Sequence, residues 1–144
     1  MKNGKVIDIK NNKIGKIGTE HLSYCLSSKD CWLEELNLED NMLGDSNIMM
    51  LLDSILDNNT LRILNISKNF ITNIVGDKLK QLLDENQELK ELYLHWNNIK
   101  GQGGSKIFEG LKTNEYLKVL DLSWNNMGSD ENSEECIKQI TECF

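Results

Sequence analysis

Leucine, isoleucine and asparagine recur along this chain in a fixed pattern that reads L-x-x-L-x-L-x-x-N. The pattern begins at residues 33, 61, 89 and 117, so its copies lie 28 residues apart. A degenerate fifth copy, Gly4–Asn12, begins 29 residues before the first of these. Four in-register copies of one pattern predict a solenoid, in which each repeat folds alike and stacks on its neighbours.

The first half of each repeat alternates apolar and polar residues, which is the period of a β-strand. Leu36 and Leu38, for example, fall on one face of a short strand, and stacked repeats would join such strands into a parallel sheet. The asparagine at the ninth position ends each strand, where its side chain can bond backbone groups of the turn that lack a partner. The predicted structural ladder comprises Asn12, Asn41, Asn69, Asn97 and Asn125.

The second half of each repeat has apolar residues three and four positions apart, which predicts a helix. Leu79, Leu82 and Leu83 give this spacing in the third repeat. One asparagine follows each of three helices in register, and we expect it to end the helix in the left-handed conformation. These predicted caps are Asn58, Asn86 and Asn114.

The last repeat departs from the period by one residue. Counting 28 residues from Ile107 reaches a glutamate, whereas counting 29 reaches Cys136. We therefore expect a one-residue insertion in the preceding loop and a helix over residues 133–143. Its predicted apolar face comprises Cys136, Ile137, Ile140 and Phe144.

The period predicts one α/β domain over residues 1–144, because proline is absent and no linker-like segment interrupts the pattern. The predicted repeats are about 4–32, 33–60, 61–88, 89–116 and 117–144. Each end of such an array exposes an apolar face unless a polar repeat covers it. We see no polar cap, so we expect a longer array or end-to-end association through the terminal repeats.

Charge and composition limit the classes of partner, compartment and cofactor that we expect for this protein. The net charge of −7 disfavours nucleic acid, whose binding requires clustered lysine and arginine. No apolar run is long enough to cross a membrane and the N-terminus lacks a signal peptide, so we expect a cytoplasmic protein with reduced cysteines. The four cysteines and two histidines have no metal-site spacing, and we expect neither a metal nor another cofactor.

The 28-residue period, the helix after each strand and the asparagine turn resemble the ribonuclease-inhibitor-like class of leucine-rich repeats. The resemblance covers essentially the whole chain. It implies a horseshoe, a right-handed β-α superhelix with a parallel sheet on the concave face, helices on the convex face and protein partners on the concave side. The class includes ribonuclease inhibitors, the Ran GTPase-activating protein, recognition domains of NOD-like receptors, tropomodulin-type actin proteins and ciliary proteins. No residue here matches the catalytic pattern of the Ran activator.

Strand residues between the core positions are expected on the concave face, and these are unevenly distributed. Repeats four and five place aromatic side chains there, whereas repeat two places carboxylates. Aromatic side chains are common interface anchors, although Trp96 and Trp124 could instead pack only on each other. The candidate partner-binding residues are Tyr93, His95, Trp96, Trp124, Asp121, Glu35 and Glu39.

No motif of a phosphate loop, a serine hydrolase or a zinc protease occurs in the sequence. His95, Asp121 and Ser123 could be drawn as a catalytic set, but an open sheet lacks the enclosed pocket that such chemistry requires. We therefore expect a non-catalytic scaffold that binds a protein through its concave face. The alternative is a structural subunit of a cytoskeletal or ciliary assembly, and the less favoured one is a GTPase activator.

Overall fold

The computed structural model describes residues 5–143 of the chain. Strands and helices alternate throughout, as the two halves of each repeat predict. In chain order the elements are β1 (Val6–Asp8), α1 (Gly15–Leu26), β2 (Glu35–Asn37), α2 (Gly44–Ile55), β3 (Ile63–Asn65), α3 (Gly76–Glu85), β4 (Glu91–Tyr93), α4 (Gly101–Leu111), β5 (Val119–Asp121) and α5 (Ser133–Glu142). A short 3-10 turn, Asn73–Val75, precedes α3.

The five strands form one parallel sheet in the order β1-β2-β3-β4-β5. Each strand pairs with the next at equivalent positions of the repeat: Leu36 pairs with Leu64, Leu64 with Leu92, and Leu92 with Leu120. The helices pack on their sequence neighbours on the other side of this sheet. This is the predicted α/β solenoid, with strands on the concave face and helices on the convex face.

Apolar side chains of strand and helix meet in one continuous core. The strand leucines Leu64 and Leu92 and the helix residues Leu79 and Ile107 are completely buried. Since each repeat buries its apolar side chains against the next, the central repeats hold the tightest part of the core.

The ninth-position asparagines bond backbone groups of neighbouring repeats. Asn69 is fully buried, and its amide donates to the carbonyl oxygens of Leu38 at 2.8 Å and Ser67 at 2.9 Å. Its side-chain oxygen accepts from the backbone N–H groups of Asn41 at 3.1 Å and Leu43 at 3.2 Å. One side chain therefore bonds both its own turn and the turn of the preceding repeat.

The prediction that a second set of asparagines ends the helices in the left-handed conformation is wrong. Asn86 has φ −83° and ψ 124°, which is extended backbone. Its amide donates to the carbonyl of Ile55 in the preceding repeat, and its side-chain oxygen accepts from the N–H of Leu89. Asn58 and Asn114 make the equivalent bonds. These residues form a second ladder, which lies along the N-terminal ends of the strands.

The position of α5 confirms the predicted one-residue insertion in the loop before it, but the predicted apolar face of this helix is only partly correct. Cys136 is buried, as the count of 29 from Ile107 requires. Ile137, however, is 59% exposed, and Gln139 lies on the buried side in its place. Phe144 lies outside the described residues, as does Gly4 at the start of the first predicted repeat.

The first and last repeats leave inward side chains half-buried. Ile7 and Ile9 in the first repeat, and Leu117, Leu120 and Leu122 in the last, pack against the core only in part. A groove of about 300 Å³ lies beside β1, and one of about 490 Å³ lies between β5 and α5. End-to-end association stays a prediction, and these are the surfaces it would use. None of the helices within residues 5–143 combines the length and apolarity needed to cross a bilayer.

Replacing Asn69 with alanine should lower the free energy of unfolding by about 1–3 kcal/mol for each backbone group left unpaired. Asn12→Ala is the matched control, because Asn12 is exposed and its amide donates only to carbonyls of its own turn. Denaturant melts of the two variants measure the difference. Equal losses in the two variants would contradict the role assigned to the buried ladder.

Candidate functional site

The concave face is formed by two in-register rows of strand side chains. The third positions of the repeats align Val6, Glu35, Ile63, Glu91 and Val119. The fifth positions align Asp8, Asn37, Asn65, Tyr93 and Asp121. Both rows contribute to a shallow depression of about 360 Å³ in the middle of the sheet. Of the candidate residues, this depression brings together Glu35, Tyr93, His95 and Asp121.

His95 lies at the centre of a polar network on this face. Its Nδ1 is 3.1 Å from a carboxylate oxygen of Asp121 and 2.9 Å from the hydroxyl of Ser67. Because an ionised carboxylate can only accept, Nδ1 carries the proton that it shares with Asp121. The other ring nitrogen faces Glu39 at 4.0 Å. A protonated imidazole would therefore lie between two carboxylates from different repeats.

Two of the carboxylates in this network have shifted pKa values. The hydrogen bond from the Lys68 ammonium, at 2.7 Å, lowers the pKa of Glu39 below its ordinary value. Hydrogen bonds from the side chain and backbone of Ser123 lower the pKa of Asp121, with a smaller contribution from His95. Both groups are therefore held in their charged forms.

Tyr93 is oriented by its own strand. Its hydroxyl donates to Glu91 at 2.7 Å, and this hydrogen bond raises the pKa of Tyr93 above its ordinary value. The bond fixes the ring over the third-position row. Glu35 pairs with Ile63 on the neighbouring strand and makes no ion pair or side-chain hydrogen bond within residues 5–143, so its charge is available to another molecule.

The arrangement of His95, Asp121 and the serines does not match a catalytic triad. In a triad the nucleophilic hydroxyl and the carboxylate contact opposite nitrogens of the imidazole. Here Ser67 and Asp121 both contact Nδ1, and Ser67 is fully buried. Ser123 donates to Asp121 at 2.6 Å instead of facing the ring. The set holds its charges in place on the concave face.

Trp96 and Trp124 lie at the rim of the concave face, just past the ends of β4 and β5. Their rings stack with centroids 4.7 Å apart and planes 10° from parallel. Even so, Trp96 is 52% exposed and Trp124 is 70% exposed. The rings therefore pack on each other, as one interpretation of the sequence expects, and still present the apolar surface to solvent that a partner-binding role would need.

Sequence reasoning missed the backbone conformation at this rim. The residue at the eighth position of every repeat has a positive φ, between 53° and 57°: Asn11, Asp40, Lys68, Trp96 and Trp124. The tenth position is also left-handed in repeats one to three, at Lys13, Met42 and Phe70. Asparagine and aspartate tolerate this conformation best. Their presence at the eighth position of repeats one and two was the signal in the sequence.

Stability alone does not explain the tryptophans. A left-handed backbone costs a bulky residue about 1–2 kcal/mol, so the pair costs about 2–4 kcal/mol. Stacking of one aromatic pair stabilises the fold by only about 0.5–1.5 kcal/mol. The same conformation occurs at the eighth position of every repeat, so the repeat backbone requires it, and the choice of exposed tryptophan there is what remains to be explained. The rim tryptophans are therefore stronger site candidates than their stacking suggests.

The described residues offer no metal or redox centre. All four cysteines are free thiols, and burial raises the pKa of Cys136. Within residues 5–143 no group of three or more histidine, cysteine, aspartate or glutamate side chains is placed to hold a metal ion.

Acid should destabilise the protein partly through Asp121. A carboxylate with a depressed pKa stabilises the fold above its unfolded pKa, and this contribution is lost as the pH falls through the lower folded value. Parent protein should therefore lose stability below about pH 4 more steeply than Asp121→Asn. Glu35→Gln is the control, since Glu35 has no bonded partner within the described part of the chain. Denaturant melts from pH 3 to 7 check this, and parallel curves for all three proteins would refute it.

Comparison with known proteins gives a family and a set of structurally similar proteins. The family model described as Leucine Rich repeat matches residues 29–52, 57–74, 85–108 and 113–130, more than half of the chain. No curated protein sequence matches. The solved structure of leiomodin-1 actin-binding site 2 has a TM-score of 0.72 at 19% identity, covering 85% of this chain and 72% of that one.

The tropomodulin C-terminal domain of Caenorhabditis elegans has a TM-score of 0.53 at 13% identity, covering 87% of this chain and 92% of that one. At these identities the two structures share the fold with this protein. The repeated match of the family model, on a parallel sheet whose strands recur with the same period, identifies the chain: it belongs to the leucine-rich repeat family.

Proposed function

We propose that this protein is a non-catalytic binding module that holds a partner protein between its concave strand face and the adjoining rim. One observation carries the proposal: exposed apolar side chains and available carboxylates lie in register on the same face. Val6 is 54% exposed and Val119 is 39% exposed in the third-position row, and Glu35 lies in that same row.

The chemistry of this face defines the partner. Asp8 and Glu35 make one end acidic, whereas Tyr93, Trp96 and Trp124 make the other aromatic. A protein surface with a basic spot and an apolar spot would complement both ends. The electrostatic part would steer association, and the aromatic part would supply most of the affinity.

The relatives support a cytoskeletal partner. Leiomodin-1, whose matching structure is named for an actin-binding site, and tropomodulin have the same fold as this chain. Actin is therefore the first candidate partner to test, and a cytoskeletal role would place the protein in the cytoplasm. The half-buried leucines beside β5 favour a second candidate function, a structural subunit whose end repeats are covered within an assembly.

Actin binding is tested with the purified chain, by co-sedimentation with filaments and by analytical ultracentrifugation with actin monomers. If neither actin filaments nor actin monomers bind, affinity capture followed by mass spectrometry identifies the partner for the same measurements. Hydrogen exchange in the complex then separates the two functions. Protection on the strands indicates concave binding, and protection confined to the first and last repeats indicates the structural subunit.

Glu35→Lys should slow partner association, and the effect should shrink as salt is raised from 50 to 300 mM, because screening weakens the charge interaction. Tyr93→Ala should weaken affinity by about 2 kcal/mol or more if the ring is an anchor. Glu20→Lys is the matched charge control, because Glu20 is an exposed residue of α1 on the convex side. Unchanged binding by both concave variants would refute the proposed site.

A further inference from the structure

Four exposed apolar residues form a stripe along the side of the sheet where the C-terminal ends of the strands lie. This apolar rim stripe comprises Met42, Phe70, Trp96 and Trp124, which are 55%, 63%, 52% and 70% exposed. Each of repeats two to five contributes one of them. Trp96 and Trp124 were expected from the sequence as binding residues, whereas Met42 and Phe70 were not.

All four members of the stripe are held in the left-handed conformation, with φ values of 57°, 59°, 55° and 55°. Asn11 and Asp40 show which residue types this backbone accommodates with less strain. The chain therefore combines an unfavourable conformation with an unfavourable exposure at four places on one edge. Lys13 and Lys68 share this conformation, so it belongs to the turns of the repeat. The exposure of four large apolar side chains on these turns is the observation that points to a surface that contacts another molecule.

Backbone hydrogen bonds make this edge continuous. The N–H of Asp40 donates to the carbonyl of Ser67, that of Lys68 to His95, and that of Trp96 to Ser123. These bonds place the turns of successive repeats about 4.8 Å apart, the spacing of hydrogen-bonded strands. Trp96 and Trp124 occupy the hydrogen-bonded eighth position of their repeats, whereas Met42 and Phe70 lie two residues further on, at the tenth. The stripe therefore has one apolar side chain on each successive turn, with an offset of two residues between repeats three and four.

We propose that the apolar rim stripe is the docking site for a basic, amphipathic α-helix of the partner protein. The inference deepens the proposed function and rests on it. A helix presents one apolar side chain per turn of about 5.4 Å, close to the spacing of the stripe. An extended strand presents one every ~6.7 Å and a polyproline helix one turn every ~9.3 Å, so neither follows the stripe repeat by repeat.

Charge around the stripe selects a basic helix. Glu39 and Asp121 lie on its concave side, in charged form because their pKa values are lowered. Asp40 is exposed and lies in the same row of turn residues as Trp96. Lys68, also in this row, and Glu39 pair with each other, so Asp40 and Asp121 supply the negative charge beside the stripe. Lysine or arginine residues flanking the apolar face of a docked helix would meet these carboxylates.

The test uses two fluorescein-labelled peptides of identical leucine and lysine composition, about five helical turns long. One has leucine at helical three-and-four spacing, and the other is a scrambled sequence that cannot form an apolar face. Binding to the full chain is measured by anisotropy at physiological salt. We expect the amphipathic peptide to bind about tenfold or more tightly than the scrambled one, although both carry the same charge.

The triple variant Phe70→Asn, Trp96→Asn and Trp124→Asn should remove that difference. Asparagine tolerates the left-handed backbone, so the variant should keep its fold, which circular dichroism melts check. Tyr24→Asn is the control for loss of an exposed aromatic, because Tyr24 is 81% exposed on α1, away from the rim. It should retain the parent's preference for the amphipathic peptide.

Three results would overturn the proposal: equal affinity for the two peptides, an unchanged preference in a folded triple variant, or stripe-dependent binding to phosphatidylcholine vesicles in place of the peptide. The proposed function is judged separately, with the partner itself. If Glu35→Lys and Tyr93→Ala weaken partner binding and the triple variant does not, the concave site is supported and the helix-docking rim is refuted. Loss in the triple variant alone would support the rim and remove the concave site.

Discussion

The fold depends on asparagine amides that bond backbone across repeats. A solenoid needs a turn in every repeat, and a turn buried against its neighbours would leave N–H and carbonyl groups without partners. Asn69 meets this requirement for two turns at once, and Asn86 does the same at the opposite edge of the sheet. Because each side chain reaches into the preceding repeat, the ladders fix the register of the strands as well as satisfying the turns.

The register was predictable from the sequence, because the spacing of Leu36, Leu64 and Leu92 leaves only one way to align the strands. Other features depended on tertiary contacts. Asn86 looked like a helix cap from its own preference, yet a carbonyl one repeat away decides its conformation. The face of α5 was misassigned at Ile137, which is exposed, while the polar Gln139 is buried. The candidate residues were placed on the right face, but their bonds were not foreseeable.

The left-handed eighth position follows from the same ladder. Its N–H donates laterally to the next repeat while the following asparagine turns inward, and this combination holds φ near 55° whatever the side chain is. The side chain there is consequently released from the core and free to vary. Asn11, Asp40, Lys68 and Trp96 occupy one backbone environment with four different chemistries. Differences along this row are therefore not required by the fold.

The uneven distribution of these side chains makes the two ends of the concave face chemically different. Repeat two contributes Glu35, Glu39 and Asp40, and repeats four and five contribute the aromatic rings. Because the strands follow one another in chain order in a parallel sheet, the acidic and aromatic regions lie about 10–15 Å apart, two to three strand spacings. For the proposed partner, basic residues would gain most over repeat two, where Glu35 and Asp40 lie, and apolar residues would gain most over the stacked rings of repeats four and five. A partner that follows the whole stack would therefore be favoured in one orientation over the reverse.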